Sequence, residues 1–284
     1  AHATKKFPAC LAELPLLAIL ELCGIPAEDR KDFFEWTNTM MFNQDPEMAI
    51  SEEQAQLASI NVITYAMKLA EQHKNNPKND IIGALLNGKG KEAGLSDEEF
   101  VWFFLMLIAA GNESTRTVTS HGMRLLMEHP DQLQYLVDHP ERIPDACEEI
   151  LRYNTAFILM RRTAMEDVEL AGHRIGKGDK IILHYHTVNH DERIFGDDAM
   201  DFDVRRAERM PDLYNQHRSF GIGQHFCLGT HLARLELRVI LEEVIPRLRN
   251  PRLAGEIRYT RSSLVNGIKC MPITFDPEVK RVAA

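Results

Sequence analysis

Between Ser96 and Pro130 the chain contains no proline, and Ser96-Asp97-Glu98-Glu99 carries the letters of a capping box, with Ser96 as N-cap and Glu99 reaching back. Such a run forms one helix of roughly thirty residues, about 45 Å long, enough to cross a whole domain. Phe100 to Ala110 is apolar on all faces, so the helix is expected to run through the core with the rest of the chain packed around it. Halfway along, its character changes to Ala109-Ala110-Gly111-Asn112-Glu113-Ser114-Thr115-Arg116. Small residues strip bulk from one face there, and a glycine weakens a helix by about 1 kcal/mol relative to alanine. The segment reads either as a Ser/Thr kink with a solvated carboxylate or as a groove where a small molecule lies against the backbone. In the second case the acid and the hydroxyls relay protons.

The sequence before this helix is helical packing material: apolar spacing suggests helices over 11–24, 27–41, from Ser51 to about Lys74, and 80–87. After Pro130, helices are expected over 131–138 and 143–153. The period then switches, and Val168-Glu169-Leu170-Ala171, Arg174-Ile175 and Lys180 to His186 read as short strands joined by glycine turns, with a further strand from Cys270 to Phe275. His184 and His186 would share one strand face near His190, but no suitably spaced further ligand favours a metal there. A net charge of −9 argues against a nucleic-acid partner. Five cysteines (Cys10, Cys23, Cys147, Cys227 and Cys270) without a Cys-x-x-Cys pair argue against a disulfide framework or a zinc site. The longest apolar run, Phe100 to Ala110, is shorter than the roughly 18 residues a membrane span needs, and Ala1 to Lys6 lacks a secretory core; a cytoplasmic protein is expected.

Two more stretches bear on chemistry. Phe220-Gly221-Ile222-Gly223-Gln224-His225-Phe226-Cys227-Leu228-Gly229 sets one cysteine on a glycine-punctuated loop before an amphipathic run from Leu228 to Leu248. A thiol near a helix N-terminus is pushed toward the anion, the form that binds metals, although a buried structural cysteine would fit the same letters. In Glu148-Glu149-Ile150-Leu151-Arg152, Glu149 and Arg152 stand three apart, on one helix face, where they can pair.

Together these strings resemble the cytochrome P-450 superfamily, and in particular its soluble bacterial members that oxidise sterols and other lipids. The loop matches the family's haem-binding pattern Phe-Gly-x-Gly-x-His-x-Cys-x-Gly; the helix matches Ala/Gly-Gly-x-Asp/Glu-Thr-Thr/Ser except that Ser114 replaces the usual threonine; and Glu149 and Arg152 match Glu-x-x-Arg. The resemblance implies a mainly α fold with small β-sheets (α+β), in which residues 1–284 form one domain, helix-rich over 1–153 and mixed with the haem loop over 154–284. It also implies that about the first third of a usual member lies outside this sequence.

For the site it implies haem b (iron protoporphyrin IX), with Cys227 the axial ligand to iron and Arg162 and His225 at the propionates. Phe220, Gly221, Gly229, Ala110 and Gly111 would line the cofactor, and Glu113, Ser114 and Thr115 would deliver protons. Ala109, Phe157, Ile158 and Val265 would meet the substrate, with Ala156 in place of a common proline. Glu149, Arg152 and Arg206 would be structural, and His217 stands where the family often has histidine. The implied reaction inserts one oxygen atom of O2 into a C–H bond of a hydrophobic sterol, lipid or terpene-like molecule, using electrons from a ferredoxin/ferredoxin reductase-type donor. That donor would dock on the cysteine side near Arg218, Arg234 and Arg238. A haem-binding fragment without turnover, and a peroxygenase driven by peroxide, are the alternatives.

Overall fold

The structure, a computed structural model, describes residues 3–6, 14–48, 50–88 and 94–276. The long helix, α5 (Asp97–Glu128), follows two shorter pairs: α1 (Leu14–Leu22), α2 (Arg30–Met41), α3 (Glu52–Asn75) and α4 (Ile81–Asn87). Its capping box forms as expected: the Glu99 amide donates to Ser96 Oγ and the Ser96 amide donates to Glu99 Oε2. Ser51 and Gln54 repeat the device at the start of α3. Residues 11–13 of the expected first helix, Cys10 and the Lys89–Lys91 loop lie outside the described residues.

Two apolar clusters share α5. Phe100, Phe104 and Ile108 pack with Leu16 and Leu20 of α1, Phe33 of α2 and Val62 and Ala66 of α3. Nearly three turns further along, Val118, Met123 and Leu126 pack with Ile150 of α7 (Ile143–Tyr153), Leu237 and Leu241 of α12 (Thr230–Val244), and the C-terminal strands. Each fully buried side chain of this size contributes about 1.5–3 kcal/mol. The expectation that Phe100 to Ala110 is enclosed on all faces is not met. Trp102 and Met106 are 57% and 56% exposed, and Ala110 continues their stripe at four-residue spacing. An apolar run shows how much could be buried; the neighbours decide which faces are.

Gly111 also has a packing role that its letters do not show. A Cβ there would lie 2.0 Å from Ile19 Cδ1, so the missing side chain lets α1 cross α5 at close range. Gly111→Val should therefore cost about 1–3 kcal/mol by overpacking. Urea unfolding checks this, and the added change Ile19→Ala should recover part of the loss.

Between α5 and α12 lie α6 (Pro130–Asp138), α7 and four short strands: β2 (Leu159–Thr163) pairs antiparallel with β5 (Lys180–His184), and β3 (Val168–Leu170) with β4 (His173–Ile175). β5 stops at His184, whose Nδ1 accepts from the Thr187 amide and starts a helical turn, α8 (Tyr185–Val188). His184 and His186 therefore do not share a strand face, and among the described residues no three His, Cys, Asp or Glu side chains are grouped to hold a metal. Three one-turn helices follow within the polar stretch before the loop: α9 (Glu192–Phe195), α10 (Arg206–Arg209) and α11 (Leu213–Gln216). The helix expected over 228–248 forms as α12. After it β6 (Arg249–Leu253) and β1 (Ala3–Lys6) flank β9 (Pro272–Asp276), and β7 (Arg258–Tyr259) pairs with β8 (Ile268–Cys270). Among the described residues no helix is long and apolar enough to cross a membrane.

Candidate functional site

The cysteine loop is shaped by its backbone. Gly221 and Gly223 have φ of 76° and 75°, the left-handed region that glycine adopts without strain, and the Cys227 amide donates back to the Phe220 carbonyl at 2.9 Å. The closed loop leaves Cys227 half-buried while Ile222, Phe226 and Leu228 stand out into the open. Burial pushes the Cys227 thiol up; the Gly229 amide, bonded to the sulfur, and the Arg234 charge pull it back toward the anion. Nothing lies within 4 Å of a Cβ built on Gly223. His225 is exposed on the 3-10 turn Gly223–His225. Arg162, on β2, donates to the Arg161 carbonyl at 3.1 Å and has no carboxylate partner among the described residues.

Behind the loop, Glu149, Arg152 and Arg206 form a fully buried ion cluster. Arg152 grips Glu149 through two hydrogen bonds, 2.7 and 2.8 Å, and Arg206 Nε reaches both Glu149 oxygens at 3.1 and 3.2 Å. The remaining guanidinium hydrogens go to the carbonyls of Asn189, Phe195, Asp198, Ala199 and Asp201 and to the Asp198 carboxylate at 3.1 Å, so the cluster fixes the path of residues 189–206. The expected donor-docking arginines are occupied. Arg234 is tied to Glu148, Arg238 to Glu242, and Arg218 to the carbonyls of Asn215, Gln216 and His217.

On α5 the three residues expected to deliver protons point in three directions, because successive helical residues turn by about 100°. Ser114 lies on the Trp102–Ala110 stripe and donates its hydroxyl to the Ala110 carbonyl at 2.8 Å. Glu113 is buried, ion-paired with Arg116 and bonded by Thr117 Oγ1 at 3.2 Å; burial raises its carboxyl despite Arg116. Arg116 lies beneath Phe42, 5.1 Å from the ring centre. Thr115 faces away, buried against Glu236 of α12, so Thr115 belongs to the interior rather than to the exposed stripe.

Glu236 was not singled out in the sequence, although a carboxylate between Leu232, Leu237 and Ile240 on an apolar face is a visible irregularity. Burial raises its carboxyl to about 7 against the Thr115 hydrogen bond, and its Oε1 has no hydrogen-bond partner among the described residues. A folded-state value above the unfolded one means that the carboxylate costs nothing below the unfolded value of 4.5, destabilises the fold progressively as pH rises from 4.5 to about 7, and exerts its full effect above that. Glu236→Gln should therefore stabilise the protein by up to about 3 kcal/mol at pH 8–9 and by nearly nothing at pH 4.5. Thermal melts of both proteins across that range check it.

The segment after α7 that holds Phe157 and Ile158 meets the C-terminal segment that holds Val265, which forms the tip between β7 and β8. Phe157 and Val265 form an antiparallel bridge, the Ile158 amide donates to the Leu264 carbonyl at 2.9 Å, and the Asn266 amide donates to the Ala156 carbonyl at 2.9 Å. His121 of α5 holds the tip through the Asn266 carbonyl at 2.7 Å, and burial lowers its imidazole to about 4. Asp45, in the turn after α2, pairs with Lys269 at 2.9 Å and binds the hairpin from the other side. Ala109 is half-buried on α5.

The site thus brings a half-buried thiol on a glycine loop together with an open stripe on a long helix beside a buried acid, and with Arg162 and His225, which have no acidic partner among the described residues. The family model for cytochrome P450 matches residues 143–250. The steroid C26-monooxygenases of Mycolicibacterium smegmatis and Rhodococcus jostii are 38% and 40% identical over 93% of this chain, which spans 59% and 54% of their lengths. The linalool 8-monooxygenase of Pseudomonas putida is 35% identical over 95% of this chain and 65% of its own. A Bacillus megaterium cytochrome P450 crystallised with testosterone superposes with a TM-score of 0.85 at 30% identity, covering 96% of this chain and 73% of that one. The chain belongs to the cytochrome P450 family.

Proposed function

We propose that this chain carries the haem site of a cytoplasmic monooxygenase that inserts one oxygen atom of O2 into a C–H bond of a sterol, lipid or terpene-like molecule, fed by a ferredoxin-type donor. The observation that carries the reading is Cys227, half-buried on a loop whose glycines leave room beside the sulfur. The residues present fit iron protoporphyrin IX: Cys227 would ligate the iron, and Arg162 and His225, free of acidic partners among the described residues, would take the propionates. When bound, haem supplies dioxygen activation, which a thiolate ligand directs toward O–O cleavage. Ala110 and Ser114 face the open side of α5, Glu113 lies buried beside them with its carboxyl raised by burial against the pull of Arg116, and Phe157 with Val265 forms an apolar wall for the substrate. The activities named for the relatives, on steroids and linalool, support the substrate class. The two apolar clusters sharing α5 support one domain.

Haem-loaded protein, reduced under carbon monoxide, should show the strongly red-shifted Soret band of thiolate ligation. With ferredoxin, its reductase and labelled O2, a steroid or terpene should then gain one labelled oxygen. A band at the neutral-ligand position, or turnover that needs only hydrogen peroxide and gains nothing from the donor, would reject the reading.

A further inference from the structure

Glu148 and Glu149 are neighbours on α7, yet they serve different parts of the chain. Glu149 holds residues 189–206, as described above. Glu148 turns toward the other flank of the cysteine loop, where Arg234 Nε and Nη2 donate to its two oxygens at 2.8 and 3.0 Å and His217 Nε2 donates at 2.9 Å. Arg234 is largely buried and lies over two rings, 3.7 Å from the centre of Tyr214 and 4.5 Å from that of Phe220, the first residue of the loop. The bidentate grip and the stacking need a planar guanidinium.

His217 carries the arrangement into the backbone. The Ser219 amide donates to its Nδ1 at 3.3 Å, so the ring proton sits on Nε2, the nitrogen that faces Glu148. Ser219 is held again from the first cluster: its hydroxyl donates to the Leu151 carbonyl at 2.6 Å and accepts from Asn189 Nδ2 at 2.8 Å, while the Asn189 carbonyl accepts from Arg152. Asn189 Oδ1 takes the Arg218 amide at 2.6 Å. The chain entering the loop is thus fixed by two clamps joined through Asn189 and Ser219.

We propose that Glu148, His217 and Arg234 form a second clamp that positions the Phe220–Cys227 loop, with Arg234 the positioning residue that keeps the Cys227 sulfur seated as a thiolate on iron. This rests on the reading that Cys227 ligates haem. The Glu149 cluster shapes the segment before the loop; the Glu148 clamp shapes the loop's first ring and, from α12, the helix that leaves it.

The test uses the haem-loaded protein with Arg234→Lys and Arg234→Gln, and follows three readouts: the urea midpoint, the decay of the red-shifted band of the reduced carbon monoxide complex, and the reduction potential. Lysine keeps the charge but loses the fork and the stacking, so decay to the neutral-ligand form should quicken about tenfold with the potential near that of the parent. Glutamine should decay at least as fast and shift the potential to more negative values, because a positive charge that favours the reduced iron is gone. Glu148→Gln should reproduce the lysine variant's decay. Equal loss of urea midpoint in all variants with decay and potential unchanged would overturn the clamp and leave a merely structural cluster. A parent protein that never shows the red-shifted band would overturn the haem reading and the clamp with it, a result distinct from failure of the variants alone.

Discussion

Replacing Glu149 by glutamine should cost about 3–5 kcal/mol and move most of the chain from the soluble to the aggregated fraction on expression. Glu149, Arg152 and Arg206 are 0%, 0% and 1% exposed, so no water is available to screen what remains. Glutamine keeps the shape and one acceptor oxygen but removes the single negative charge between two buried guanidinium groups. Arg206 retains Asp198 at 3.1 Å, but Arg152 is left with carbonyl oxygens only and an unbalanced positive neighbour. Against a total stability of about 5–15 kcal/mol, a loss of this size is decisive. Urea unfolding of whatever soluble fraction remains gives the number. A variant within about 1 kcal/mol of the parent would show that the carbonyl bonds, not the charges, hold the cluster together.

Cys227→Ser should do the opposite: leave the fold almost untouched and remove the chemistry. The side chain is half-buried, the Gly229 amide donates a hydrogen bond to its sulfur, and serine accepts the same bond. The urea midpoint of the haem-free chain should stay within about 0.5 kcal/mol of the parent, as for substitutions away from a core. The reduced carbon monoxide complex, however, should lose the red-shifted band completely, since a serine oxygen is a far poorer anion than a thiolate. Retention of that band in the serine variant would mean that another residue ligates the iron. The remaining described cysteines, Cys23, Cys147 and Cys270, are buried, and burial raises the thiols of Cys23 and Cys147.

What the sequence told in advance was local. Ser96 with Glu99 marks a helix start through contacts three residues apart, and Ile143 to Tyr153 forms a helix with the bounds its letters suggested. The cysteine loop is equally legible because its glycines and its thiol act within ten residues. What escaped depends on partners far along the chain. The purpose of Gly111 is set by Ile19, the exposure of Trp102 and Met106 by which helices stop short of them, and the β1-β9-β6 sheet by pairing between opposite ends of the sequence. Arg234 looked like a surface charge for the same reason: Glu148, 86 residues earlier, is what takes it. Glu236 is a different case, since a carboxylate on the apolar face of α12 was readable and only its raised protonation needed the structure.

The adjacency of Glu148 and Glu149 has a consequence for how this protein can change. Each residue of a helix adds about 100° of rotation, so one residue inserted or deleted between Ile143 and Glu148 would swing both carboxylates off their partners in a single event. Point changes in α7 can be screened one letter at a time, with losses confined to one clamp, whereas a change in its length disconnects both flanks of the cysteine loop together. Libraries that shuffle segments of this chain should therefore place their junctions outside Ile143–Tyr153, where the count of residues is constrained more tightly than most of the residues themselves.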